Sequence, residues 1–113
     1  MFEKKMIYRD KIEKEDIGGG ILMQNLGSGD YMNVLHWNMD AGSIVDWHEH
    51  PSEQFGYVIK GGFIIYMGNE EFKLKAGDAY FVPPSTQHKF IAIGDTEAID
   101  VFNPIKKDIP KKK

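Results

Sequence analysis

From residue 20 onward the chain alternates short apolar, or every-second-residue apolar, stretches with clusters of turn-forming residues. The stretches at 20–25 (GILMQN), 31–39 (YMNVLHWNM), 44–50, 54–60 (QFGYVIK), 62–68 (GFIIYMG), 70–75 (EEFKLK), 79–83 (AYFVP), 88–93 (HKFIAI) and 97–102 (EAIDVF) are rich in Val, Ile, Phe and Tyr. Between them stand Gly27-Ser28-Gly29-Asp30, Gly61-Gly62, Gly68-Asn69, Ala76-Gly77-Asp78 and Gly94-Asp95. Branched and aromatic side chains suit a pleated, half-buried surface, while Gly, Asn and Asp supply the backbone angles of tight turns. No stretch in the middle of the chain holds a helical period for two full turns. Many short strands with no helices between them predict an all-β sandwich or barrel, and a double-sheet jelly roll suits the length.

Size and composition narrow the picture. A chain of 113 residues fits one domain that buries roughly two thirds of its unfolded surface, so one domain is expected over 1–113, with a core over about 20–103, a short N-terminal arm and a basic tail. The longest apolar runs fall far short of a membrane span. The first fifteen residues, MFEKKMIYRDKIEKE, are charged throughout and lack the apolar stretch of a secretory leader, so a cytoplasmic protein without membrane contact is expected. There is no cysteine, which removes disulfides, thiolate ligands and a cysteine nucleophile, so any metal must be held by nitrogen and oxygen. The net charge is −3 and the lysines are scattered, which lacks the basic face of nucleic-acid binding. The terminal KKDIPKKK reads as a solvated end. Gly18-Gly19-Gly20 has neither GxGxxG nor a following Lys-Ser/Thr, and Arg9 is the sole arginine, so no phosphate loop or guanidinium clamp is expected in the barrel.

Histidine carries the chemistry. Two of the four histidines fall in Trp47-His48-Glu49-His50-Pro51-Ser52-Glu53-Gln54. Residues two apart in a strand share a face, so His48 and His50 aim together while Glu49 points away. His88 opens a strand just after Pro83-Pro84, and three imidazoles converging inside a small barrel would suit a divalent transition metal. His36 lies among apolar neighbours and reads as a hydrogen-bonded strand histidine. Trp37, Trp47, Phe55 and Tyr57 read as barrel packing.

The register extends well beyond the HxH pair. Gly42 is followed after five residues by His48-x-His50, after three more by Gln54 and after six more by Gly61; later Gly77 is followed after five by Pro83-x-Ser85 and after two more by His88. These two blocks resemble the paired motifs of the cupin family, small β-barrels of the jelly-roll, double-stranded β-helix type, over about residues 40–92. The resemblance implies His48, His50 and His88 as metal ligands and position 54 as the fourth. The family's commonest residue there is glutamate; here it is Gln54, with Glu53 one step before and on the opposite face, so only one of the two can join the histidines, and the spacing favours Gln54 over Glu53. Ser85 stands where glycine is usual, and Ala92 where asparagine is frequent. A glutamate about 2 Å from the metal would add a gross Coulomb term on the order of 8 kcal/mol at an effective dielectric of ~20. With Gln54 the ion keeps its whole charge, which favours Lewis-acid chemistry over redox cycling.

Within the cupins, His50-Pro51-Ser52-Glu53-Gln54, Gly56-Tyr57-Val58 and Asp100-Val101-Phe102-Asn103-Pro104 with Lys106 beyond are similar to the subfamily that linearises unsaturated uronates in pectin and alginate breakdown. The resemblance implies Asp100, Phe102 and Lys106 as active-site residues. The family's basic residue is typically arginine, and lysine lacks its planar fork. Asp100 in an apolar strand must be paired, exposed at an edge, or facing a wet pocket. The expectation is a metal-dependent, isomerase-like or lyase-like enzyme on a small sugar acid, with Ni, Zn, Mn or Fe as its divalent ion. The alternatives are an oxygen-using cupin and a non-catalytic sugar- or small-ligand-binding module. A homodimer is expected, with the N-terminal residues 1–20 adding a strand to a neighbour's sheet edge.

Overall fold

The computed structural model describes residues 4–107 and Ile109. Its strands are β1 (Glu15–Asp16), β2 (Ile21–Ser28), β3 (Asn33–Met39), β4 (Ile44–His48), β5 (Glu53–Lys60), β6 (Gly62–Met67), β7 (Glu70–Lys75), β8 (Ala79–Val82), β9 (His88–Ala92) and β10 (Thr96–Asn103). They form a six-stranded sheet, β1-β2-β3-β10-β5-β8, and a four-stranded sheet, β4-β9-β6-β7, with antiparallel pairing in both. The architecture is the all-β jelly roll, and each of the nine expected stretches holds a strand. Only β1, too short to carry an alternation, had no counterpart in the sequence reading. Among the described residues the sole helical element is one 3-10 turn, Arg9–Lys11, and no helix is long and apolar enough to cross a membrane.

Alternation decides what enters the barrel. On β5, Gln54, Gly56 and Val58 point in, and on β10 Thr96, Ala98, Asp100 and Phe102 do. Of these, Val58 and Ala98 meet Phe63 and Ile65 of β6, Phe90 and Ala92 of β9 and Tyr80 and Val82 of β8 in a buried core, while Phe102 packs with Met23 of β2 and Leu35 of β3; each large apolar side chain contributes about 1.5–3 kcal/mol.

The same parity corrects the packing assigned to three aromatics. Phe55 and Tyr57 alternate with inward neighbours and so lie on the outer face, 56% and 47% exposed; Trp47 is 45% exposed and meets Tyr66 with ring centroids 6.2 Å apart. Trp37 alone of the four is partly buried against the core. Strand β4 ends at His48, short of the expected residue 50, because His48 pairs with His88, the first residue of β9, which leaves His50 no partner in that strand. The arm at Arg9–Ile12 lies across its own sheet, where Gln24 Nε2 donates to the carbonyls of Arg9 and Ile12, each at 2.8 Å. Residues 1–3 of the arm, and most of the basic tail, 108 and 110–113, lie outside the described residues.

Candidate metal centre

Antiparallel pairing places His48 of β4 directly opposite His88 of β9. The segment after β4 brings in His50, and β5 contributes Gln54. Ring centroids are 4.1 Å apart for His48 and His88, 5.0 Å for His50 and His88 and 5.6 Å for His48 and His50. One nitrogen from each ring lies within 4.8 Å of the others.

The backbone orients all three rings in the same way. His48 Nδ1 lies 2.8 Å from the Asp46 carbonyl, His50 Nδ1 2.8 Å from the Ser52 carbonyl and His88 Nδ1 2.7 Å from the Thr86 carbonyl. A carbonyl only accepts, so each Nδ1 carries the proton and each Nε2 keeps a lone pair, the arrangement that second-sphere carbonyls impose on metal-binding histidines. Burial lowers the His88 pKa from 6.5 to about 4, against the opposing Thr86 carbonyl, and the protonated forms of His48 and His50 and the Lys106 ammonium would add to the depression. That ring is neutral at physiological pH.

Two observations test whether these residues fit a cation. His88 Nε2 is buried with no hydrogen-bond partner, although a buried polar atom normally has one. His50 Nε2 faces Gln54 Oε1 at 3.1 Å, so two lone pairs oppose one another. Two ligands each ~2.1 Å from a shared metal and at right angles would be ~3.0 Å apart. The donor set therefore fits a divalent ion. Glu53, on the other face of β5, is not in this group. His36 is elsewhere: its Nε2 pairs with Glu97 Oε2 at 2.6 Å, as expected for a strand histidine.

A cavity of about 280 Å³ adjoins the cluster, and His48, Gln54, Asp100, Phe102 and Lys106 all line it. The geometry thus gathers the residues from the two sequence blocks and the last strand into one place. Strand β10 runs between β3 and β5, so the edge position considered for Asp100 does not apply. Asp100 is buried, and the Tyr80 hydroxyl donates to its Oδ1 at 2.7 Å. Burial pushes the Asp100 pKa up to about 6, with the side-chain donors of Tyr80, Gln54 and Trp37 and the charge of His50 pulling the other way. Burial and then the Asp100 charge hold Tyr80 well above its ordinary value, so the phenol stays the donor. Phe102 stands edge-on to His50 with centroids 5.5 Å apart. Lys106 is buried, its backbone N–H donates to Asn33 Oδ1 at 2.8 Å, and its Nζ sits 5.8 Å from the Phe102 ring centre.

Tyr80 and Asn33 escaped the sequence reading, and Gly56 entered it only within the Gly56-Tyr57-Val58 motif, with no role of its own. Gly56 matters because a Cβ there would overlap the Tyr80 ring and Asp100 Oδ1. The alternation of β8 marks Tyr80 as inward, but nothing local reveals which carboxylate it meets. Ser85 explains one departure from the family pattern: its φ is +55°, the left-handed conformation that glycine adopts more readily, and its N–H donates to the His50 carbonyl at 2.8 Å.

The model of the cupin domain matches residues 35–102. The chain belongs to the cupin family. This cupin is 31% identical to an RmlC-like cupin from Shewanella frigidimarina, with a TM-score of 0.87 over 95% of this chain and 96% of that one. It is 27% identical to KdgF from a Halomonas species, with a TM-score of 0.86 over 92% of this chain and 98% of that one. The polyketide synthase protein CurC of Streptomyces cyaneus is 36% identical over 66 residues, which are 58% of this chain and 43% of CurC. The chain spans about half the length of the curated relatives it matches, from 43% to 61% among the first three.

Proposed function

We propose that this cupin is a metal-dependent, non-redox enzyme that opens the ring of a small sugar acid of the unsaturated-uronate type. The observation that carries the reading is the single cavity shared by His48, Gln54, Asp100, Phe102 and Lys106. The likeness to KdgF fits the uronate-linearising subfamily that the sequence resembles. His48, His50, His88 and Gln54 would hold the ion, which when bound supplies Lewis-acid polarisation of substrate oxygens, undiminished by a ligand charge because Gln54 is neutral.

The remaining roles belong to the chain's own side chains. Asp100, with one oxygen held by Tyr80, exchanges a proton between the sugar and solvent as general acid and base. Lys106 attracts the substrate carboxylate as a point charge. Phe102 fixes the His50 ring from its edge and excludes water beside it. The product is the linear keto form.

The test is a screen of unsaturated uronates for loss of the ring form, with metal analysis of untagged protein. Asp100→Ala should abolish turnover with metal content intact; loss of both together would make Asp100 structural and overturn its role. Oxygen uptake with substrate would overturn the non-redox reading in favour of oxygen chemistry, and saturable binding without turnover would favour a binding module.

A second reading has its own support. Away from the histidines the cavity wall is Trp37, Met39, Val45, Phe63 and Phe90, which suits an apolar ring better than a ring of hydroxyls, and CurC bears a polyketide synthase name. An aromatic hydroxy-ketone belongs in the same screen; turnover of it and not of uronates would establish this reading instead.

A further inference from the structure

Lys106 stands where two cavities meet. It lines the cavity of the metal centre together with Asp100 and Phe102, and it also lines an outer cavity of about 720 Å³ with Asp30, Tyr31, His50 and Pro51. A lysine has a flexible four-carbon stem and is ordinarily exposed, yet this one is buried, with its Nζ 5.8 Å from the centre of the Phe102 ring. No strand holds it there. Strand β10 ends at Asn103, and residues 104–107 beyond it belong to no regular element.

The hold comes from a residue distant along the chain. The Lys106 N–H donates to Asn33 Oδ1 at 2.8 Å across 73 residues. Asn33 opens β3 directly opposite Phe102 of β10 and is itself buried. It follows the connection from β2 that carries Asp30 and Tyr31, so this one bond joins the two segments that form facing walls of the outer cavity. Only the oxygen of an amide accepts, so the bond also fixes how the Asn33 amide is turned, and its Nδ2 is left buried without a partner. A buried donor without an acceptor costs stability, a cost that a leucine of similar size would avoid. The asparagine is explained by what its oxygen holds.

We propose that Asn33 is a positioning residue of the site: it fixes Lys106 at the neck between the two cavities, so that the ammonium meets the anionic end of a ligand beside the metal centre. The inference rests on the sugar-acid reading for the ligand and on the Asn33 bond for the position of the charge.

Asn33→Leu keeps the volume and removes the acceptor; if it does not fold, Asn33→Ala is read in the same way. The first measurement needs no substrate. In a carbon–proton NMR spectrum the Lys106 Cε signal, identified by its loss in Lys106→Arg, should be displaced by the Phe102 ring in the unaltered protein and fall back among those of exposed lysines in Asn33→Leu. Asn33→Asp, which keeps an acceptor in the same place, should leave it displaced. The second measurement is turnover of unsaturated uronates. Asn33→Leu should raise KM about tenfold, the size of one lost hydrogen bond, with kcat unchanged, and should add nothing further in a Lys106→Met background. A signal that stays displaced in Asn33→Leu, or falls back in Asn33→Asp, overturns the proposal, as does a KM effect that persists in full beside Lys106→Met. If the unaltered protein turns over no uronate while the signal moves as stated, the ring-opening reading is overturned and the placing of Lys106 by Asn33 is supported.

Discussion

Tyr80 and Asp100, from strands separated by β5 in the same sheet, meet inside the barrel: the phenol donates to Oδ1 at 2.7 Å with both side chains buried. The bond passes over Gly56, the residue of β5 that lies opposite both. Removing one partner of a buried hydrogen bond costs about 1–3 kcal/mol. Tyr80→Phe should therefore lower the urea midpoint by that equivalent and reduce turnover while metal content stays constant. Gly56→Ala should cost more, since its methyl group would overlap both partners. Equal midpoints for Tyr80→Phe and the unaltered protein would show that the bond adds nothing to the fold.

Metal removal should be visible as lost stability. An ion bound only by the folded state stabilises it by about 2.7 kcal/mol at a hundred times its Kd. For a chain of this size that corresponds to a Tm decrease of about 10 °C after chelation, recovered on adding back Ni or Zn. Differential scanning fluorimetry reads the shift. In a variant with His48, His50 and His88 all replaced by alanine, the chelator should change nothing.

Gln54→Glu places a carboxylate where the neutral amide now faces His50 Nε2 at 3.1 Å. The added charge should tighten divalent-metal binding by at least tenfold, about 1.4 kcal/mol, as read by competition with a chromophoric chelator. Weaker binding would mean that position 54 does not face the ion, or that repulsion from Asp100 outweighs the attraction.

His36 offers the contrasting case. It is buried, bonded to Glu97 at 2.6 Å and outside the three-histidine cluster. His36→Ala should destabilise the fold by about 1–3 kcal/mol through the cavity and the broken pair, with metal content unchanged by mass spectrometry. His88→Ala should do the reverse in one respect: metal content falls whatever happens to the midpoint.

The strands were legible because their signal is local. Alternation in EAIDVF put Asp100 and Phe102 on one face, alternation across Glu53 and Gln54 allowed only one of the two to approach His50 without deciding which, and the turn residues punctuated the strands. The same rule, applied to QFGYVIK, would have placed Phe55 and Tyr57 outside as soon as Gln54 was placed inside; aromatic character outweighed parity in assigning them to the barrel. His50 lies beyond the end of β4, so alternation alone was insufficient to place it; Nδ1 bonding to Ser52 and the approach of β5 complete the arrangement.

The amino-acid sequence by itself determined the approximate positions of nine of the ten strands, the jelly-roll class and the candidate donor types, because a two-residue period and turn chemistry act over a few neighbours. Only the tertiary structure decided that Tyr80 holds Asp100, that three backbone carbonyls turn three Nε2 lone pairs toward one point, that Lys106 reaches the same cavity and that one sheet face stays apolar and open. Those relations join residues distant along the chain, and their partners are chosen by strand order and register across two sheets, which no local pattern records.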